Sequence, residues 1–141
     1  MTERAAARIG CALGIILFVT MAGTLVELFL LEHTEGFWQQ VPIGLSILGI
    51  ILLVVSALVR RALARHAMRL AMLLACASGG VGVWQHYRGN VEFELEMYPT
   101  LEGFELFREA MTGATPVLAP GVMVTIGMLG LVWTFVPRAR S

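Results

Sequence analysis

Lysine and aspartate are missing from this chain: all ten basic residues are Arg, all ten acidic residues are Glu, and the formal charges cancel. With no net positive charge there is no broad basic field to hold a phosphate backbone, so no nucleic-acid partner is expected. Charge of either sign is also scarce. Only 14% of the residues are charged and 57% are hydrophobic, with a mean hydropathy of +0.79. Soluble domains carry about 25% and about 45–50% respectively. A soluble fold of 141 residues would leave much of that apolar surface in water, because small domains bury only about two-thirds of what the unfolded chain exposes.

Cysteine is almost absent. Cys11 and Cys76 fall at different depths of separate apolar runs. A disulfide needs Cα atoms within about 7 Å, so two unpaired thiols are expected. Catalytic templates are lacking: there is no G-x-S-x-G, no H-E-x-x-H, no phosphate-binding loop and no dinucleotide fingerprint. No cofactor is expected. Strands of alternating polarity, which a membrane barrel requires, do not occur in the apolar runs. The first run, of about 23 residues, exceeds the about 7–15 of a signal-peptide core, and no A-x-A site follows it.

What is present is four apolar runs, over about 9–31, 41–59, 67–84 and 117–136. Each is close to the about 20 residues that carry a helix across a ~30 Å hydrocarbon core. Lipid offers no partner to backbone N–H and C=O groups, so each run must satisfy its own as a helix. The expected fold is an all-α integral membrane protein, a four-transmembrane-helix bundle in one domain. Arginine sets its orientation. Arg4, Arg8, Arg60, Arg61, Arg65, Arg69, Arg138 and Arg140 share one side, against Arg88 and Arg108 on the other. Positive residues stay in the cytoplasm, which places both termini there. A multi-pass protein of a bacterial inner membrane is the expectation, with lipid as its first partner.

The outer loop, 85–116, is the principal segment outside the membrane. Val91 to Met97 alternates strictly between apolar and acidic residues, which predicts a short strand with Glu92, Glu94 and Glu96 on one face. Pro99 interrupts it. Thr100 is positioned to cap an amphipathic helix from Leu101 to about Met111, ended by Gly113, with Phe104 and Phe107 on its apolar face. The acidic face and the two phenylalanines form a candidate interaction surface. Small residues four apart, or nearly so, recur in the runs: Gly10 and Gly14, Ala75 and Gly79, Ser78 and Gly82, Gly127 and Gly130. Such pairs let helix backbones approach closely. They serve packing within one bundle or association with another chain.

Three further groups carry chemistry. Glu27 is the sole carboxylate inside a run, one turn from its outer end. It is a candidate proton or ion site, since ionisable groups in membranes are costly and often functional; the plainer reading is that it reaches the interface. His33 and His86, each beside a run's outer end, are candidate metal ligands with Glu27, Glu32 or Glu92. The alternate carboxylates of 92, 94 and 96, spread over about 14 Å of strand, are too far apart for one ion.

Two stretches, Gly23-Thr24-Leu25-Val26-Glu27-Leu28 running to Glu32-His33-Thr34-Glu35 and Gly89-Asn90-Val91-Glu92-Phe93-Glu94-Leu95-Glu96, resemble segments of uncharacterised small four-span bacterial membrane proteins. That resemblance implies the fold and no activity. In its size and its single membrane Glu the chain is also similar to small multidrug transporters, which have four spans and an essential Glu in the first. It departs from them in placing Glu27 near the outer end and in its long outer loop.

The expected function is therefore a non-enzymatic subunit or assembly partner that packs against another membrane protein or a copy of itself. Alternatives are a proton- or cation-coupled transporter using Glu27 and a metal-dependent membrane enzyme.

Overall fold

The computed structural model describes residues 2–59 and 61–137. Arg60, Arg138 and Arg140, three of the arginines behind the expected orientation, lie outside the described residues. The described residues form five helices: α1 Glu3–Leu30, α2 Phe37–Leu58, α3 Ala62–Met97, α4 Gly103–Thr112 and α5 Gly121–Phe135. No strand occurs among them. Three, α1, α2 and α3, are long and apolar enough to cross a membrane, and α5 is a shorter apolar helix of 15 residues.

Local chemistry sets the helix ends. The Thr2 hydroxyl accepts the Ala5 N–H at the start of α1, with Glu3 in the first turn beside the positive end of the helix dipole. α1 stops in a left-handed turn. Glu32 has φ 52°, its N–H donates to the Phe29 carbonyl, and the His33 N–H donates to the Leu28 carbonyl at 2.8 Å. This is the Schellman pattern, which usually places glycine where Glu32 stands. Gly36, with φ 83°, opens α2. Pro42 sits early in α2, where it has no N–H to give to the Trp38 carbonyl.

The apolar helices neighbour one another as α1 on α2, α2 on α3, α3 on α5 and α5 on α1, while α4 packs on α3. Leu17, Met21, Leu53, Met68, Met72, Met123, Ile126 and Trp133 fill the centre. Outward faces are apolar too: Ile15, Val19, Val26, Ile51, Val54, Leu73 and Val132 are all exposed. Water would penalise such surfaces at about 25 cal/mol per Å². Lipid does not, and these faces mark a membrane protein.

The small residues serve closeness inside the chain. A Cβ on Gly127 would lie 2.5 Å from the Met72 carbonyl oxygen and 2.9 Å from the Cys76 nitrogen. One on Gly79 would lie 2.8 Å from the Val124 nitrogen, and Gly10 and Gly14 face Val136 and Trp133 of the α5 end. α3 and α5 therefore meet backbone to backbone. Gly82 likewise faces Pro120, and Gly130 faces Met72. The glycines of these pairs thus face neighbours within the chain. Cys11 lies exposed and Cys76 packs against α5, both as free thiols.

Two expectations need correction. The strand expected over 91–97 is helix: α3 runs on without a break from the apolar run to Met97. The outer loop expected from 85 thus begins instead after residue 97. Strict alternation was outweighed by the helix-forming Glu, Leu and Met residues, by the i,i+4 ion pair Arg88–Glu92 at 2.7 Å, and by packing on α4. Second, Thr100 caps nothing. α4 starts at Gly103 after an extended Glu102 that makes no side-chain cap bond. Gly113 ends α4 as expected.

Candidate functional site

At the end of the helices where the glutamates gather, α1, α2, α3, the turn before α5 and the start of α5 border a half-open cavity of about 530 Å³. Its wall is apolar at Leu28, Leu31, Val41, Pro42, Val122 and Met123. Its polar groups include Glu27, His33, Glu35, Gln39, Gln85 and His86, with the hydroxyls of Thr24, Ser78 and Thr115. Each comes from a definite element. Glu27 projects from the last full turns of α1. The Schellman turn swings His33 back toward α3, and Gly36 turns the chain so that Phe37, Trp38 and Gln39 form the opposite rim. The Gln40 side chain donates to the Thr34 carbonyl and ties this turn to α2.

His33 and His86, 53 positions apart in sequence, meet edge to face with ring centroids 6.2 Å apart. His86 Nδ1 lies 2.9 Å from the Pro116 carbonyl oxygen. A carbonyl only accepts, so the proton is on Nδ1 and Nε2 of neutral His86 is left as an acceptor. Among the described residues no group of three His, Cys, Asp or Glu side chains stands close enough to hold a metal ion. A Zn²⁺ site closed by the protein needs about three or four ligands, so the two histidines do not make one by themselves.

Beyond the cavity, α3 and α4 form a helical projection. The 36 residues of α3 extend about 54 Å at ~1.5 Å per residue, well past a ~30 Å hydrocarbon core. Asn90, 2% exposed, fixes this projection. Its Nδ2 donates to the Ala110 and Thr115 carbonyls, both at 2.8 Å, and its Oδ1 accepts the Thr115 N–H at 3.1 Å. Sequence reasoning missed Asn90, whose apolar neighbourhood exists only once α4 has folded back.

Four aromatic rings run across the two helices. Trp84 and Tyr87 lie 6.0 Å apart, Tyr87 and Phe107 6.0 Å, and Phe107 and Phe104 6.1 Å, within the range of mutually favourable rings. Phe104 is 79% exposed. Phe93, Met97 and Tyr98 add exposed apolar area at the tip. The glutamates there do not form one face. Glu92 and Glu96 are one helical turn apart and exposed, whereas Glu94 points elsewhere and is half-buried. On α4, Arg108 donates from two nitrogens to one Glu109 oxygen. That hydrogen bond first, and then the Glu109 charge, hold the Arg108 guanidinium above its ordinary pKa.

At the opposite end, Trp133 Nε1 donates to the Gly10 carbonyl at 2.9 Å. Arg69 donates to the Thr134 hydroxyl and stacks 4.4 Å above the Phe135 ring centre, a cation–π contact that holds this arginine against the end of α5.

Three long apolar helices, apolar outward faces and a polar-rimmed cavity at one end together define a helical membrane protein. Comparison with known protein families, with curated proteins and with solved structures returns no match.

Proposed function

We propose that this chain is a non-enzymatic small membrane protein that docks another membrane protein, or a second copy of itself, through the α3–α4 projection. The observation that carries the reading is the aromatic stripe Trp84–Tyr87–Phe107–Phe104, ending in exposed Phe104 on a rigidly clamped helix. Rigid aromatic anchors on a preorganised element are what dominate binding energy at interfaces.

The setting proposed for it is a bacterial inner membrane crossed four times, with α5 as the fourth span and both termini in the cytoplasm. α5 itself is about 22 Å long at ~1.5 Å per residue, and the turn of residues 117–120 adds to its reach. Met128, Val132 and Phe135 are exposed along it, as a lipid-facing side requires. The distribution of arginine supports the orientation.

A photocrosslinking residue in place of Phe104, activated in native membranes, tests the docking role. The expected product is a discrete protein adduct, lost in Phe107→Ser and retained in Leu63→Ser at the other end of the molecule. Adducts to lipid alone would overturn it.

The cavity favours a second reading, a proton- or cation-coupled transporter, because Glu27 lines it. That reading expects Glu27→Gln to abolish flux in proteoliposomes while insertion is unchanged. Undiminished flux would end it.

A further inference from the structure

We propose that the cavity at the glutamate-rich end binds a protonated amine with at least one N–H and an apolar body. The claim concerns occupancy of the cavity. It stands whether or not the projection docks a partner and whether or not Glu27 takes part in flux.

Three observations select this chemistry. The first is charge. Glu27 and Glu35 line the cavity, and no arginine does. The ion pairs among the described residues are Arg88–Glu92 and Arg108–Glu109, so neither cavity carboxylate is neutralised by a described side chain. Both residues are exposed, so a cation reaches their carboxylates at the mouth of the apolar wall. The second is shape and polarity. A volume of about 530 Å³ lies within the about 300–1,000 Å³ of small-molecule sites. Leu28, Leu31, Val41, Pro42 and Met123 give an apolar body a place to rest. Phe37 and Trp38, 5.2 Å apart at the rim, offer ring faces to a passing cation.

The third observation points to a donor. Gln39 lines the same cavity, and its Oε1 is buried with no hydrogen-bond partner among the described residues. A buried acceptor left without a partner is costly. Once the Gln39 amide turns toward the cavity, an ammonium N–H gives this oxygen a partner and a quaternary ammonium cannot. In its neutral form His86 adds a second acceptor, because its Nδ1 donates to the Pro116 carbonyl and leaves Nε2 to accept. The site is thus rich in acceptors and carboxylates, and no arginine lines it. It is complementary to a primary or secondary ammonium group rather than to an anion or a neutral alcohol.

The test uses the full-length protein in phosphatidylcholine nanodiscs, whose headgroup has no N–H, with dansylcadaverine as a fluorescent primary-amine probe. Saturable probe binding is expected. Octylammonium should compete, octyltrimethylammonium should compete at least tenfold more weakly, and octanol should not compete. This series needs no variant, so misfolding cannot mimic it. Glu27→Gln with Glu35→Gln should weaken probe binding at least tenfold, and Gln39→Leu should remove the preference for octylammonium over octyltrimethylammonium. Leu63→Ser, far from the cavity, should leave binding unchanged. Adding phosphatidylethanolamine separates two sources of the same chemistry. Displacement of the probe supports the site with a lipid headgroup as occupant; retention supports it with a free amine. Equal competition by octanol, or wild-type affinity in the double Glu variant, overturns the proposal.

Discussion

The side chain of Asn90 holds the backbone of Thr115 from both sides: Nδ2 donates to its carbonyl at 2.8 Å and Oδ1 accepts its N–H at 3.1 Å. A third bond to the Ala110 carbonyl joins the end of α4 to the same amide. One buried side chain therefore ties together the projection and the turn that leads into α5.

Replacing Asn90 with Ala or Leu leaves these backbone groups unmatched, at about 1–3 kcal/mol for each buried group left without a partner. Asn90→Leu is expected to lower the midpoint of thermal unfolding and to speed amide hydrogen exchange across 103–117. Exchange in α1 should stay slow. Mass-spectrometric hydrogen exchange in detergent checks both.

Close approach of α3 and α5 makes a paired prediction. Gly127→Ala places a Cβ 2.5 Å from the Met72 carbonyl, which is backbone and cannot swing away. It should destabilise by about 1–3 kcal/mol, the range for overpacking a filled core. A Cβ on Gly80, also inside α3, meets nothing within 4 Å. Gly80→Ala should stabilise by up to about 1 kcal/mol through helix propensity. Thermal unfolding of the two variants side by side decides it; a loss of stability in both would refute the packing described.

Much of this architecture was legible in the sequence. Continuous apolar runs can only be helices in lipid, and Gly113 marked the end of α4 within the described residues. The small-residue pairs announced close helix packing, although not which helix faced which. The stretch 91–97 was misread because period-two alternation is the stronger local pattern, while the helix is held by Asn90 and by contact with α4, which local pattern does not encode. The cavity was legible only in its parts. Glu27, His33 and His86 stood out by type, but Gln39 and Gln85 look like ordinary interfacial residues until three helices bring them to one wall.

Glu32 carries a left-handed backbone, φ 52°, at the turn that aims His33 at His86. Left-handed conformation costs a residue with a side chain about 1–2 kcal/mol relative to glycine. Glu32→Gly is expected to raise the unfolding midpoint, offset in part by glycine's freedom in the unfolded chain. Glu32→Val, β-branched, should lower it. Circular dichroism melts of the three proteins give the order Gly, Glu, Val if the turn is as described.

The path of the chain across the bilayer underlies both the docking face and the side from which the cavity is reached. Single cysteines at Leu95→Cys and His66→Cys, each made in a background with Cys11 and Cys76 changed to Ser, report it in whole cells with the outer membrane made permeable. A membrane-impermeant maleimide should label the first without lysis and the second only after the inner membrane is breached. Labelling of the second alone in intact cells would contradict the account.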